Sequence, residues 1–208
     1  MLFYLVLFSS CSGPTNSGNS NNKYIFFLHN KFLELHSEKD SHPQFGKAEY
    51  SQIINYFQKD SFLVISEKRK PNTDAIAYAH HVAHQADSLL KAGIAPENIT
   101  IIGTSKGGYI AQYVSTFMQN PKMNYVFIGC FMPGDTFDFP EIKPAGRILN
   151  IWETSDSFGN SMQHLKGRKN VPDYAEIKLN TRMGHGFLYK ARKEWLKPAS
   201  QWAKRQKS

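Results

Sequence analysis

Cysteine is scarce: Cys11 and Cys130 are the only two in 208 residues, and neither sits in a C-x-x-C or zinc-ligand spacing. One lies beside an apolar leader and the other inside the run YVFIGCF, settings too unlike for a disulfide. A chain of this length can bury a sizeable core as one domain without such staples. The leader MLFYLVLF is apolar over about eight residues, too few to span a bilayer. GTSKGGY lacks the GK[ST] of a phosphate-binding loop, which argues against nucleotide binding. His80, His81 and His84 form H-H-x-x-H without the glutamate of a zinc protease, so they read as a solvated helix face. No metal or other cofactor is implied. There is no internal repeat, and 41% hydrophobic with 20% charged residues excludes a disordered chain. The net charge of +8 allows anionic partners without choosing among them.

What is present begins with the leader. Phe8, Ser9 and Ser10 precede Cys11, and the segment resembles a bacterial lipoprotein signal, with Phe8 where such signals usually carry leucine. The resemblance implies an acylated Cys11 and a lipid-anchored protein on the periplasmic or surface side of a bacterial envelope. Residues 12 to 22, SGPTNSGNSNN, read as a polar tether with nothing to bury. Residues 23–208 then read as a single domain. Nucleic-acid binding is hard to reconcile with such a leader, and Trp195 and Trp202, seven apart in the basic C-terminal segment, read as a core-facing stripe.

From Lys23 onward, short apolar runs alternate with helical periodicity. Strands are expected at 23–29, 61–66, 98–103, 124–131, 147–153 and 175–181. Helices are expected at 49–59, at 73–92 with Thr73 as cap and Ile76 on the apolar face, at 107–119 and at 188–205. Near-continuous apolar strands alternating with helices predict a three-layer α/β/α sandwich around a mostly parallel sheet of about six strands.

Gly103-Thr104-Ser105-Lys106-Gly107 fits G-x-S-x-G. The pattern alone is weak, but here it follows an expected strand and opens an expected helix, the setting of a nucleophile held at a strained turn. A serine hydroxyl needs a base. His185, in RMGHGF between the last strand and the last helix, is the best placed. A carboxylate must orient that histidine; Asp156, after RILNIWE, is favoured over Asp135, Asp138 and Glu153. The order Ser105, Asp156, His185 suits a fold that carries its nucleophile on an elbow.

On GTSKGG, the acid after RILNIWE, the MGHG loop and the strand-histidine element FFLHN, the chain resembles the α/β-hydrolase superfamily over essentially all of residues 23–205. The resemblance implies a serine hydrolase acting on an ester, thioester or amide of a small-molecule or envelope-derived acyl substrate. It places the oxyanion donors at the backbone N–H of Lys106 and of Asn30 or Lys31, with His29 structural and Asn30 standing where the family has glycine. The polar loop 30–49 and the segment 67–74 are expected at the mouth of the site. There Glu34, His36 and Arg69, with Lys31, His42 and Lys68, either contact substrate or form a solvated rim. Fifty residues between Ser105 and Asp156 leave no room for a helical cap. The rival expectation is a catalytically silent ligand-binding module with the same fold.

Overall fold

The computed structural model describes residues 21–205. The leader, Cys11 and most of the expected tether lie outside them. The main elements in chain order are β1 (Tyr24–Leu28), α1 (Tyr50–Lys59), β2 (Leu63–Ile65), α2 (Ala75–Lys91), β3 (Ile99–Thr104), α3 (Lys106–Met118), β4 (Asn124–Ile128), β5 (Arg147–Glu153), β6 (Asp173–Leu179) and α4 (Lys193–Lys204). The six strands form one sheet in the order β2-β1-β3-β4-β5-β6, and every pairing is parallel. None of the helices described is long and apolar enough to cross a membrane.

The continuous apolar runs have a direct cause: the sheet is buried on both faces. On one face Phe26, Leu28, Ile101, Tyr125 and Phe127 pack with Val82, Ala86, Ile110 and Val114 of α2 and α3. On the other, Ile25, Phe27, Val126, Leu149 and Ile151 pack with Ile53 and Phe57 of α1 and with Trp195 and Trp202 of α4. Alternate residues of the inner strands serve opposite layers, so most must be apolar, whereas the edge strand β6 is only partly buried and keeps Asp173, Glu176 and Lys178.

Several local expectations are corrected. The cap of α2 is Asp74, whose Oδ1 accepts from the Ala77 N–H at 2.7 Å; Thr73 instead bonds back to the Lys70 carbonyl. Ile76, expected on the apolar face, is exposed. Strand β4 ends at Ile128 because Gly129 turns at φ 54°, which leaves Cys130 buried just beyond the strand. The last helix begins at Lys193 and not at 188, since Gly184–Tyr189 winds as a 3-10 turn. Glu49 then holds the connection: its N–H donates to Tyr189 O and its side chain accepts from the Ala191 N–H. Finally, the expected loop 30–49 carries one helical turn, Phe32–Leu35, and a two-residue antiparallel pair, Ser41–His42 with Gly46–Lys47.

Candidate active site

Parallel strands present all their C-terminal ends at one edge of the sheet, where loops from distant parts of the chain meet. His29 and Asn30 follow β1, Ser105 follows β3, Asp156 follows β5, and His185 follows β6. At the end of β3, Ser105 takes φ 52°, ψ −122°, a region costly for any residue with a side chain. Its N–H donates to Ile128 O at 2.9 Å and its carbonyl accepts from the Gly108 N–H at 2.8 Å, which holds the turn shut. The flanking glycines are required by space: a Cβ at Gly103 would lie 2.1 Å from Gly107 O, and one at Gly107 would lie 2.0 Å from Leu28 O.

The turn delivers the hydroxyl to a histidine. Ser105 Oγ lies 2.8 Å from His185 Nε2, and His185 Nδ1 lies 2.8 Å from Asp156 Oδ2. A carboxylate only accepts, so Nδ1 carries the proton and the Nε2 lone pair is left for the serine hydroxyl. Asp156 is buried, and its other oxygen accepts from the Phe158 N–H at 2.9 Å.

The competing acids are elsewhere. Asp135 accepts from the Tyr109 hydroxyl and the Met132 N–H, and Asp138 lies on the exposed end of the same short helix. Glu153 is buried and serves as a clamp between loops. Burial alone would raise its carboxyl, but hydrogen bonds from the Ser155 hydroxyl and N–H and from the N–H groups of Arg182 and Thr181 outweigh this and hold it below the usual carboxylate range. It thereby ties the loop bearing Asp156 to the loop bearing His185.

Of the residues expected to contact substrate or form its rim, Lys31, His36 and His42 line the cleft beside Ser105, whereas Glu34, Arg69 and Lys68 do not. Glu34 and Arg69 are buried beneath it, joined by a 2.8 Å ion pair. Neither expectation for them holds, substrate contact or solvated rim, because the loop 30–49 and the segment 67–74 fold the two charges inward against each other. The cleft, of about 650 Å³, is instead bordered by aromatic side chains that the sequence reading missed: Phe32, Phe45, Phe158 and Tyr189. His185 itself stands between Phe45 and Phe158, with ring centroids 6.1 and 5.0 Å away. The signal was present, since a large aromatic in an otherwise polar loop either packs inward or forms a binding surface. Besides His185, the cleft is lined by the basic side chains of Lys31, His36 and His42, with no carboxylate among its lining residues.

His29 is buried and stays out of the cleft. Its Nε2 accepts from the Arg69 N–H at 2.9 Å, which fixes the proton on Nδ1 for Asn30 O at 2.7 Å. Burial, reinforced by the Arg69 charge, pushes the ring from 6.5 down to about 4. Unfolded chain therefore takes up a proton that folded chain refuses, so this contribution to stability is complete above pH 6.5 and is lost as pH falls toward 4. The gap corresponds to about 3 kcal/mol. Urea unfolding at pH 7 and pH 4.5, which spans most of that gap, should show about 2 kcal/mol less acid sensitivity in His29→Gln, whose amide oxygen can still accept from Arg69. Equal acid sensitivity in both proteins would contradict the assignment.

No family model matches the chain, and no curated protein matches its sequence. Solved structures do match its fold. SOBER1 of Arabidopsis thaliana is 16% identical, with 88% of this chain and 98% of that one covered and a TM-score of 0.58. An Agrobacterium tumefaciens protein of unknown function, classed provisionally as an α/β hydrolase, is 19% identical over 87% of this chain and 84% of its own, with a TM-score of 0.58. An arylesterase is 14% identical over 88% and 75%, with a TM-score of 0.61. The architecture is that of the α/β hydrolases.

Proposed function

We propose that this α/β-hydrolase-fold chain is a serine hydrolase that cleaves an ester, thioester or amide bond through an acyl-enzyme. The reading rests on one observation above others: a serine at a strained strand-to-helix turn hydrogen-bonded to a histidine that is hydrogen-bonded to a buried carboxylate. Ser105 Oγ attacks the carbonyl carbon while His185 Nε2 takes its proton, and Asp156 holds the ring and stabilises the imidazolium. The carbonyl oxygen, now negative, is received by the backbone N–H of Lys106, which as the first residue of α3 has no intrahelical acceptor, and by that of Asn30 or Lys31. His185 then protonates the leaving group as the tetrahedral carbon collapses. Water, deprotonated by the same ring, releases the acid and restores the serine.

The aromatic border of the cleft supports an apolar acyl or aryl group beside the reacting carbonyl. Its open mouth suits a small substrate better than a long buried acyl chain. At the N-terminus, Cys11 would carry the lipid that holds the protein to a bacterial envelope.

The test is intact-mass detection of a fluorophosphonate adduct on the purified chain. One adduct is expected, absent from Ser105→Ala and His185→Ala. A folded wild-type chain that takes no adduct would move the assignment to a ligand-binding module with a silent site.

A further inference from the structure

The buried charges beneath the cleft form a bridge that the chemistry above leaves unexplained. Glu34 is 4% exposed, yet one carboxylate oxygen accepts from Arg69 Nε at 2.8 Å and the other from Lys106 Nζ at 2.7 Å. It does not line the cleft, so it has no contact to offer a substrate.

Each partner leads to one half of the anion-binding backbone. A terminal nitrogen of Arg69 donates to the carbonyl oxygens of both His29 and Asn30, the latter at 3.3 Å. None of the peptide bonds described is cis, and in a trans peptide the C=O and the following N–H point in opposite directions. With both carbonyls turned to Arg69, the N–H groups of Asn30 and Lys31 face away from it, and Asn30 and Lys31 both line the cleft shared with Ser105. Lys106 supplies the other half through its own N–H, and its side chain is anchored at both Glu34 and Thr73 O, the latter at 2.6 Å. One carboxylate thus connects the loop after β1 with the start of α3.

We infer that Glu34 is a positioning residue that sets the separation of the two oxyanion-binding segments, acting through Arg69 on residues 29–31 and through Lys106 on the helix start. The inference rests on the serine-hydrolase reading. A misplaced donor fails the transition state and leaves ground-state binding nearly alone, so the two readings separate kinetically.

The experiment compares wild type, Glu34→Gln and Lys106→Met on p-nitrophenyl butyrate, with active sites counted by fluorophosphonate adduct. Glu34→Gln should lower kcat per labelled site by about 100-fold, the scale of a lost oxyanion donor. Its KM should stay within about threefold of wild type, with kcat/KM falling in parallel. Binding of a trifluoromethyl ketone carrying the same acyl group should weaken by the same factor as kcat/KM. Lys106→Met keeps the backbone N–H, removes one arm of the bridge and should lose about tenfold in kcat; it reads the same coupling if Glu34→Gln does not fold. A lower melting temperature with unchanged kcat per labelled site would make the bridge structural only and overturn the inference. So would a raised KM at constant kcat. If the wild-type chain takes no adduct at Ser105, the hydrolase reading itself fails and the inference falls with it.

Discussion

Replacing Ser105 with alanine is expected to lower kcat on an activated aryl ester by on the order of a millionfold, and His185→Ala by a similar factor. The hydroxyl and the ring act as one unit, joined at 2.8 Å, so the double variant should be little worse than either single one. Asp156→Asn should cost on the order of 10⁴ in kcat with the fold intact. An amide in place of the carboxylate can present its oxygen or its NH₂ to His185 Nδ1, but it cannot stabilise the imidazolium. If the NH₂ faces the ring, the proton moves to Nε2 and the serine loses its acceptor. Measuring kcat for the three single variants and the Ser105→Ala, His185→Ala pair decides the matter. Additive losses, or an Asp156→Asn enzyme within tenfold of wild type, would show that the three groups do not act as a relay.

The largest expected effect on stability lies two residues further on. At Gly107 a methyl group would be 2.0 Å from Leu28 O, a backbone atom of the strand residue that pairs with Gly103 of β3. No flexible side chain is available to move, so α3 would have to lift off the sheet and leave part of the core between α3 and β1 unfilled. Gly107→Ala is expected to cost more than about 4 kcal/mol, enough to unfold a domain of ordinary stability or nearly so. Gly93→Ala is the control. Gly93 has φ 86° and nothing within 4 Å of the added carbon, so the cost should be only the local one of about 1–2 kcal/mol. Urea midpoints for the two variants should differ widely. Similar midpoints would mean that α3 does not seat against β1 as described.

These effects also mark where sequence reading worked. The inner strands were legible because burial on both faces makes them near-continuous apolar runs, the edge strand β6 by its alternation of Tyr174, Glu176 and Lys178 with Ala175, Ile177 and Leu179, and the serine because a glycine pair stands where strand meets helix. Asp156 and His185 could be placed because the ends of parallel strands fall at one edge, so loop position nearly fixes spatial position. Boundaries failed where a tertiary bond decided them, as at Glu49, which keeps Lys190–Arg192 out of α4. The buried bridge of Glu34 with Arg69 and the Lys106 side chain was not legible, for a deeper reason. Their partners lie 35 and 72 residues apart in sequence, and no local periodicity distinguishes a charge that will be buried against a distant one from a charge that will face water. Half of the aromatic border, Phe32 and Phe45, was hidden in the same way, inside a loop whose average composition is polar.

The strand order has a consequence for the newly made chain. Strand β1 is translated first among the strands described, yet it sits between β2 and β3 and pairs residue for residue with Ile99–Gly103. The seat for Gly107 is a carbonyl of that first strand, while the His185 ring that meets Ser105 follows the last. A nascent or partly folded chain therefore holds Ser105 as an ordinary serine, because contacts this distant in sequence form only after the intervening loops have closed. On the serine-hydrolase reading, chemical competence arrives only with completion of the sheet, and a chain still unfolded cannot act on what it meets.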